Sequence, residues 1–292
     1  MSRRPADLRG RVVLVTGASR GIGAATARAL AARGARLSLV GLEPDRLAAL
    51  ATELGPEHVS FAADVTVTAQ VDSAVAGTVA ALGGIDAVVA NAGVASYGTI
   101  RVATPEAFAR TVEVNLVGVY RTAYSATPQL IARRGYLLIV ASVASFTPLP
   151  GAAAYAASKA GVESLAHTLR VELAAAGVAV GSAHPCWIDT DMVRAAEDAL
   201  PTFRVLRARL PWPANATTSV TDCADVLAGA VARRARRVYV PRPAGLFSVL
   251  RPLVTSRAGE AVLRRRIRHQ LPALDDEARL ASRPARSLED TP

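Results

Sequence analysis

Short apolar segments alternate with longer helix-forming segments along most of this chain. Seven apolar segments of four to six residues are rich in Val, Leu, Ile and Ala, and we interpret them as β-strands. They cover residues 11–16, 36–40, 58–62, 85–90, 136–141, 178–182 and 237–240. Such runs, without a regular polar alternation, are typical of strands that are buried on both faces of a parallel sheet.

Helix-forming segments separate the strands. The first helix is predicted to begin at Gly21 and to end before Gly34, because glycine commonly terminates helices. Further helices are predicted over 44–54, 67–82, 105–133 and 153–176. The alternation predicts the α/β class: a single Rossmann-type, doubly wound domain whose seven-stranded parallel sheet is flanked by helices. Ligands then bind at the carboxyl ends of the strands.

The last fifty residues lie outside the alternating pattern. We predict a main domain over 1–242 and a basic, partly helical C-terminal extension over 243–292. Within the extension, a helix is expected over 257–271, where Pro272 would end it, and residues 275–292 are expected to be disordered.

Composition adds a large core and an uneven charge. Hydrophobic residues make up 51% of the 292 residues, and the net charge is +10. From Arg233 onward there are 14 Arg and 6 acidic residues, whereas the preceding 232 residues carry 20 basic and 18 acidic ones. The positive charge therefore belongs mainly to the tail, where it suits an anionic partner. Nucleic acid is not expected, because no reading module or aromatic stacking pattern accompanies the charge.

Cysteine usage and the N-terminus indicate a cytoplasmic protein. Cys186 and Cys223 share no metal-ligand spacing, so we predict no metal site and a reducing compartment. No apolar run follows Arg3 and Arg4, so no signal peptide is predicted. No stretch reaches the roughly 18 apolar residues of a membrane-spanning helix.

A glycine-rich loop joins the first strand to the first helix, with the sequence Thr16-Gly-Ala-Ser-Arg-Gly-Ile-Gly23. Glycines at such a place let the backbone turn sharply and approach a pyrophosphate bound at the helix N-terminus. The spacing differs from the commoner G-x-G-x-x-G fingerprint. Taken alone, the loop fits a structural turn as well as a dinucleotide site.

The chain contains a single lysine, Lys159, although Lys and Arg together number 34. It follows Tyr155 by four residues, so on a helix both side chains lie on one face. Lysine offers a compact charge where arginine offers a flat fork, which suggests a chemical role beside the phenol. The alternative is that the single lysine stands at this position by chance in an arginine-rich chain.

Taken together, these motifs resemble those of the short-chain dehydrogenases/reductases. The resemblance covers roughly residues 9–241. It rests on the glycine loop, on Asn91-Ala92-Gly93, on Ser142, which lies 13 residues before Tyr155, and on the Tyr155–Lys159 spacing. Asn115 matches a further family position.

The resemblance implies that Asn115, Ser142, Tyr155 and Lys159 are catalytic. Hydride transfer to a ketone leaves negative charge on its oxygen, which a weak acid must protonate. Tyr155 would be that acid, and the base for oxidation, with its pKa lowered by Lys159. Ser142 would orient the substrate oxygen, and Lys159 would also bind the nicotinamide ribose. Asn115 would interrupt a helix and connect Lys159 to solvent through water.

The resemblance also implies a nicotinamide dinucleotide cofactor. Its predicted contacts are Gly17, Ser19, Arg20, Gly21, Ile22, Gly23, Asp64, Val65, Asn91, Ala92, Gly93, Tyr155, Lys159, Pro185, Ile188 and Thr190. NADP(H) is favoured, because Gly41 stands where an acidic residue would repel a 2′-phosphate, while Arg20 could bind that phosphate. NAD(H) is the alternative, because the acidic residue Glu43 lies one or two positions after the expected place. Cys186 replaces the family's usual glycine, which puts the local backbone conformation in doubt.

The segment between Thr190 and Thr218 should line the substrate site. Its apolar residues predict a bulky apolar alcohol or ketone, with simple lid packing as the alternative. They are Met192, Val193, Leu200, Phe203, Leu206, Leu210 and Trp212. We expect a homodimer or homotetramer.

More than one interpretation is open for the tail and for the overall function. The tail helix could bind an anionic membrane surface as a peripheral contact, cover a neighbouring subunit or the substrate mouth, or lie solvated on its own domain. The leading function is oxidoreduction of a secondary alcohol/ketone pair. Alternatives are an epimerase or dehydratase on the same fold, and a non-catalytic dinucleotide-binding or membrane-peripheral regulator.

Overall fold

The computed structural model describes residues 7–281 and has a seven-stranded parallel sheet at its centre. The strand order is β3-β2-β1-β4-β5-β6-β9. These strands are β1 (Val12–Thr16), β2 (Arg36–Gly41), β3 (Val59–Ala62), β4 (Ala87–Ala90), β5 (Tyr136–Val140), β6 (Ala179–Pro185) and β9 (Arg237–Val240). A separate two-stranded parallel pair joins β7 (Trp187–Ile188) to β8 (Thr217–Thr218). The predicted parallel sheet is confirmed.

Twelve α-helices are described. They are α1 (Gly21–Ala31), α2 (Pro44–Leu54), α3 (Thr68–Leu82), α4 (Pro105–Val112), α5 (Gly118–Arg133), α6 (Ala153–Glu172), α7 (Asp191–Ala199), α8 (Pro201–Ala208), α9 (Val220–Arg233), α10 (Leu246–Val254), α11 (Arg257–Ile267) and α12 (Leu271–Ala281). Helix α9 has no counterpart in the sequence predictions. Ser219, whose hydroxyl accepts from the Asp222 backbone, is the capping signal that could have identified it.

Two apolar layers cover the two faces of the sheet. In β1, Val13 and Val15 belong to the layer that includes α1 and α9, whereas Leu14 belongs to the layer with α3, α5 and α6. Successive side chains of a strand point to opposite faces. Each strand therefore needs apolar residues at every position, which explains the uninterrupted apolar runs in the sequence.

The segment predicted as one helix over 105–133 is interrupted. Between α4 and α5, residues Glu113–Val117 form a π-helical segment. Asn115 lies in this wider turn and is fully buried. Such segments often occur at functional sites, and this one confirms the expected interruption.

The tail differs from its prediction. The helix expected over 257–271 ends at Ile267, and Pro272 lies in the first turn of α12 instead of ending a helix. The prediction of disorder is wrong for residues 275–281, which are helical; residues 282–292 lie outside the described part. Leu274 and Ala278 share one face of α12 and are buried against α7 and α8, which stabilises this helix.

None of the helices in residues 7–281 combines the length and hydropathy needed to cross a bilayer.

Candidate active site

The predicted catalytic side chains converge where β5 ends against α6. Tyr155 and Lys159 lie one turn apart on α6, and the Lys159 Nζ is 5.7 Å from the centroid of the Tyr155 ring. Ser142 lies two residues after the end of β5, and its hydroxyl is near the Tyr155 phenol. The structure thus brings together three groups that are up to 17 positions apart in the sequence.

Lys159 is held in a buried position. Lys159 is only 4% exposed, and its Nζ donates a hydrogen bond to the Val140 carbonyl at 2.8 Å. Burial lowers the pKa of Lys159 to about 8, since the charged ammonium loses hydration. This side chain therefore titrates in mildly alkaline solution.

The expectation about the pKa of Tyr155 is wrong. This pKa is raised rather than lowered, because burial of the phenol outweighs the opposing effect of the nearby Ser142 hydroxyl. The Lys159 ammonium is directed to the Val140 carbonyl. The phenol is accordingly a group that keeps its proton at neutral pH.

Asn115 forms hydrogen bonds through both the nitrogen and the oxygen of its side-chain amide. Its Nδ2 donates to the Val94 carbonyl at 2.9 Å and to the Ser158 hydroxyl at 3.1 Å, while Oδ1 accepts from the Val94 backbone at 2.8 Å. A Cβ added to Gly93 would lie 3.2 Å from this Oδ1 and 3.6 Å from the Lys159 Nζ. Asn115 and Lys159 therefore flank Gly93, while a proton route through Asn115 stays a prediction.

The glycine loop folds tightly against the segment after β4. Gly17 has φ +65°, and a Cβ there would lie 2.8 Å from the Ala92 Cα. A Cβ on Gly23 would lie 2.0 Å from the Gly17 oxygen. Asn91 Nδ2 donates to the carbonyls of Thr16 and Gly17 at 3.0 and 3.3 Å. These contacts require glycine at both positions and give Asn91 a role in joining β1 to β4.

A cleft of about 440 Å³ lies beside the start of α1. Ser19, Arg20 and Gly21 line one part of it, and Thr190 lines another. The Ser19 hydroxyl oxygen is buried and has no hydrogen-bond partner among the described residues. An unused hydroxyl, a helix N-terminus and a guanidinium fit an anionic ligand such as a dinucleotide phosphate. Further arginines in the cleft are Arg28, Arg46 and Arg194.

Two residues that are predicted to influence the choice between NAD and NADP contact one another. Arg20 and Glu43 form an ion pair. Gly41 is the last residue of β2, and a Cβ there would lie 2.5 Å from the Ser19 Oγ, so a side chain at this position would require Ser19 to move. Glu43 thus neutralises the guanidinium that was expected to bind a 2′-phosphate.

The predicted adenine contacts lie after β3. One oxygen of Asp64 accepts from the backbone and hydroxyl of Thr66 at 2.8 and 2.7 Å. The other lies 3.4 Å from Arg110. Val65 is buried, and a Cβ on Gly118 would lie 2.7 Å from its Cγ2. Thr66, in the same loop, and Arg110 therefore orient the Asp64 carboxylate.

The segment after β6 resolves the doubt about Cys186. Its backbone N–H donates to the Val240 carbonyl at 2.8 Å, and the non-glycine residues with positive φ in the described chain are Arg134 and Arg234. Cys186 therefore does not occupy a conformation that needs glycine. Burial raises the pKa of its thiol to about 11, so the thiol stays protonated.

The same segment connects Ser142 to Thr190. The Pro185 carbonyl accepts from the Ser142 hydroxyl at 3.3 Å, and Thr190 Oγ1 donates to the Ile188 carbonyl at 3.3 Å. A Cβ on Gly21 would lie 3.6 Å from the Thr190 Cγ2, so Thr190 faces the glycine loop across the cleft. Ile22 packs beneath the loop against the core.

An aromatic cluster stands beside Tyr155. Phe203 lies 5.7 Å from Tyr97 and 5.5 Å from Trp187 between ring centroids. Burial, and then the nearby Tyr155 phenol, raises the pKa of Tyr97. The predicted substrate residues divide here: Leu200 and Phe203 are buried, whereas Met192 and Trp212 are 42% and 70% exposed.

Sequence reasoning missed Tyr97 in this region, and it predicted disorder over most of α12. An aromatic residue six positions after Asn91 was the available signal in a chain with 4% aromatic residues. Leu274 and Ala278 of α12 complete the cluster from outside. The carboxylate of Glu277 accepts from the Thr202 backbone at 3.0 Å and from its hydroxyl at 2.7 Å. Helix α12 therefore packs over this aromatic cluster, whereas the alternative raised from the sequence placed the helix over 257–271 at the substrate mouth.

Comparisons with known proteins agree with this arrangement. The family model described as short chain dehydrogenase matches residues 11–201. Glycine betaine reductase ATRR of Emericella nidulans is 37% identical over 66% of this chain, which spans only 15% of that protein. The 3-oxoacyl-[acyl-carrier-protein] reductase FabG of Escherichia coli is 33% identical, covering 66% of this chain and 79% of that protein. The crystal structure of 3-ketoacyl-(acyl-carrier-protein) reductase from Brucella melitensis complexed with NADH has a TM-score of 0.73 and 28% identity, covering 80% of this chain and 98% of that one.

Proposed function

The chain belongs to the short-chain dehydrogenase family, and from that premise we propose that it interconverts a secondary alcohol and a ketone, with Tyr155 as general acid and base. The observation that carries the proposal is the proximity of the Ser142 hydroxyl to the Tyr155 phenol, one helical turn from the buried Lys159. A carbonyl oxygen placed against both hydroxyls would be polarised by one and protonated by the other.

The side chains of Tyr155 and Lys159 can serve the reaction in both directions. A bound nicotinamide supplies the hydride. The raised pKa of Tyr155 keeps the phenol protonated, so it can donate its proton to the developing alkoxide. Lys159, 5.7 Å from the ring centroid, then stabilises the phenolate by its charge, which it holds below about pH 8. In oxidation the same phenolate accepts the proton of the alcohol.

We further propose a bulky apolar substrate. The wall next to Tyr155 is formed by the rings of Tyr97, Trp187 and Phe203, with Leu200 behind them. Such a lining favours an apolar body attached to the reacting carbonyl, because the apolar group loses its water there.

For the cofactor, we propose NADP(H) over NAD(H). Gly41 carries no acidic side chain that would repel a 2′-phosphate, and Arg20 supplies a guanidinium to bind it. Glu43 opposes this preference through its ion pair with Arg20, so it has to release the guanidinium when a phosphate binds.

A carbonyl library tests the proposed activity. Oxidation of NADPH, and separately of NADH, is followed by absorbance, and binding of each cofactor is measured by fluorescence. Tyr155→Phe should abolish turnover while it leaves cofactor binding intact, and Tyr120→Phe, on the exposed face of α5, serves as the control. Binding of cofactor without any turnover would instead indicate a dinucleotide-binding regulator. Product formation without net cofactor consumption would indicate an epimerase or dehydratase.

A further inference from the structure

The two helices that follow the main domain are poorly covered. Neither α10 nor α11 contains a buried residue in the described structure. They cross closely at Gly259, where a Cβ would lie 2.5 Å from the backbone oxygens of Leu253 and Val254. We call residues 246–268 the basic hairpin. The basic hairpin is anchored to β9 by a hydrogen bond from Tyr239 to Ser248, and many of its side chains are exposed.

One face of α10 exposes a row of large apolar side chains. Leu246, Val249 and Leu253 are 50%, 73% and 62% exposed. Their spacing of three and four residues places them on the same side of the helix. Val262 of α11 is 53% exposed. A row of this kind, left in water on a protein with a large core, indicates an interaction surface.

The same hairpin carries a concentrated positive charge. It contains six arginines and one acidic residue, Glu260. The arginines are Arg251, Arg257, Arg264, Arg265, Arg266 and Arg268. Within residues 7–281 none of them forms an ion pair. Their charge is therefore available to a partner.

We propose that the basic hairpin binds the surface of an anionic membrane. Leu246, Val249 and Leu253 would enter the boundary between headgroups and acyl chains, and the arginines would contact the lipid phosphates. Short helices that combine an exposed apolar row with dense positive charge bind in this way, parallel to the bilayer. With nine and eleven residues, α10 and α11 are too short to cross it.

Other occupants fit the surface less well. Nucleic acid would satisfy the arginines, but it would leave Leu246, Val249 and Leu253 in water, and the hairpin exposes no aromatic ring for stacking on bases. A two-fold dimer through this surface would bring two sets of six arginines together, which like-charge repulsion opposes. Of these three occupants, an anionic bilayer alone satisfies both the charge and the apolar row.

Vesicle flotation with the full-length protein tests the proposal without any assay of activity. One set of vesicles is phosphatidylcholine, and the other contains phosphatidylglycerol as well. The protein should float with the anionic set, float weakly with the neutral set, and lose binding as salt is raised. Equal flotation with both sets, or no flotation with the anionic set, would overturn the proposal.

Two variants separate the contributions. Replacing Arg264, Arg265 and Arg266 with Gln should weaken binding to anionic vesicles by about a hundredfold, or about fivefold per arginine. Replacing Leu246, Val249 and Leu253 with Ser should weaken it by at least about tenfold at constant charge. Val171→Ser, at a 77% exposed site on α6, is the matched control and should bind like the wild type.

Unchanged thermal unfolding should accompany both variants, because the replaced side chains are exposed. If these variants bind vesicles as well as the control does, the hairpin is not the membrane contact. Tight binding to duplex DNA by a protein that does not bind vesicles would assign the charge to nucleic acid and contradict the proposal.

Discussion

The Oε2 atom of Glu163 lies 2.8 Å from the Nε2 of His184, in the layer directly behind Ser142. His184 is fully buried, and its Nδ1 lies 3.3 Å from the backbone oxygen of Ser142. Phe146 and Tyr239 flank the imidazole ring at 4.8 and 5.3 Å. This arrangement makes Glu163 and His184 positioning residues for the end of β5, and therefore for the predicted catalytic serine.

Glu163→Gln should destabilise the protein. Burial by itself raises the pKa of Glu163, but His184, Arg237 and His167 outweigh burial and lower it from 4.5 to about 2. The ionised carboxylate therefore contributes stability above about pH 4.5, of the order of 3 kcal/mol, and this contribution is lost as the pH falls toward 2. Urea unfolding of both proteins at pH 7 and at successively lower pH measures the difference, which should shrink below about pH 4.5. His167→Gln, which removes the half-exposed partner, should cost much less; equal losses would contradict the central role of His184.

Lys159→Arg should nearly abolish turnover in spite of its unchanged charge. Nζ is buried, bonded to the Val140 carbonyl and close to Gly93, so the space does not admit a broader guanidinium. We expect a loss of kcat/KM of about a hundred- to a thousandfold, the range seen when one preorganised catalytic donor is removed. Steady-state kinetics measures this loss. Arg170→Lys on the same helix is the control, and near-normal turnover by the Lys159 variant would show that any cation suffices there.

Gly17→Ala should disrupt the glycine loop by more than the ordinary free-energy cost of placing an alanine at a positive φ. The added Cβ would lie 2.8 Å from the Ala92 Cα, and the site also has φ +65°. Gly83→Ala is the matched control, because Gly83 has φ +81° and nothing within 4 Å of an added Cβ. Both variants incur the cost of about 1 kcal/mol for a left-handed alanine, whereas only Gly17→Ala should also lose cofactor binding. Calorimetric titration with NADPH distinguishes them, and equal binding by the two would remove the loop from the cofactor site.

Glu43→Gln should increase the preference for NADP(H). The substitution removes the carboxylate that pairs with Arg20, and it leaves the guanidinium free for a 2′-phosphate. We expect the ratio of NADPH to NADH affinity to rise by about tenfold, the effect of one charge-assisted hydrogen bond to phosphate. Arg20→Gln should change the ratio in the opposite direction. Should both variants leave the ratio at its wild-type value, this ion pair has no part in cofactor choice.

Glu277→Ala should loosen the cover over the substrate side. Its carboxylate accepts hydrogen bonds from Thr202 at the start of α8, so it acts as an N-terminal cap supplied by another helix. Loss of the cap should cost about 1 kcal/mol and raise KM for the carbonyl substrate, while cofactor affinity stays constant. Asp276→Ala, at the neighbouring exposed position, is the control for changes in α12 itself. A parallel loss of cofactor affinity would show a general effect on folding instead.

Local spacing accounts for the parts that sequence reasoning predicted well. Apolar runs bounded by glycine are sufficient to indicate strands buried on both faces, and the seven-stranded parallel sheet follows from their alternation with helices. The i, i+4 spacing of Tyr155 and Lys159 places them on one face of any helix, whatever surrounds it. Helix α12 was missed because Leu274 and Ala278 are too few to mark a core face until α7 and α8 are packed against them.

The sequence by itself thus determined the fold, the family resemblance and the identity of Ser142 and Lys159 as the polar groups beside Tyr155. Only the tertiary structure decided the state of those groups. Burial raised the pKa of Tyr155 and lowered that of Lys159, because desolvation depends on everything packed around a charge and not on spacing along the chain. It also paired Arg20 with Glu43, and Glu163 with His184, across gaps of 23 and 21 residues. Contacts of that kind exist only once the sheet has brought separate strand ends together.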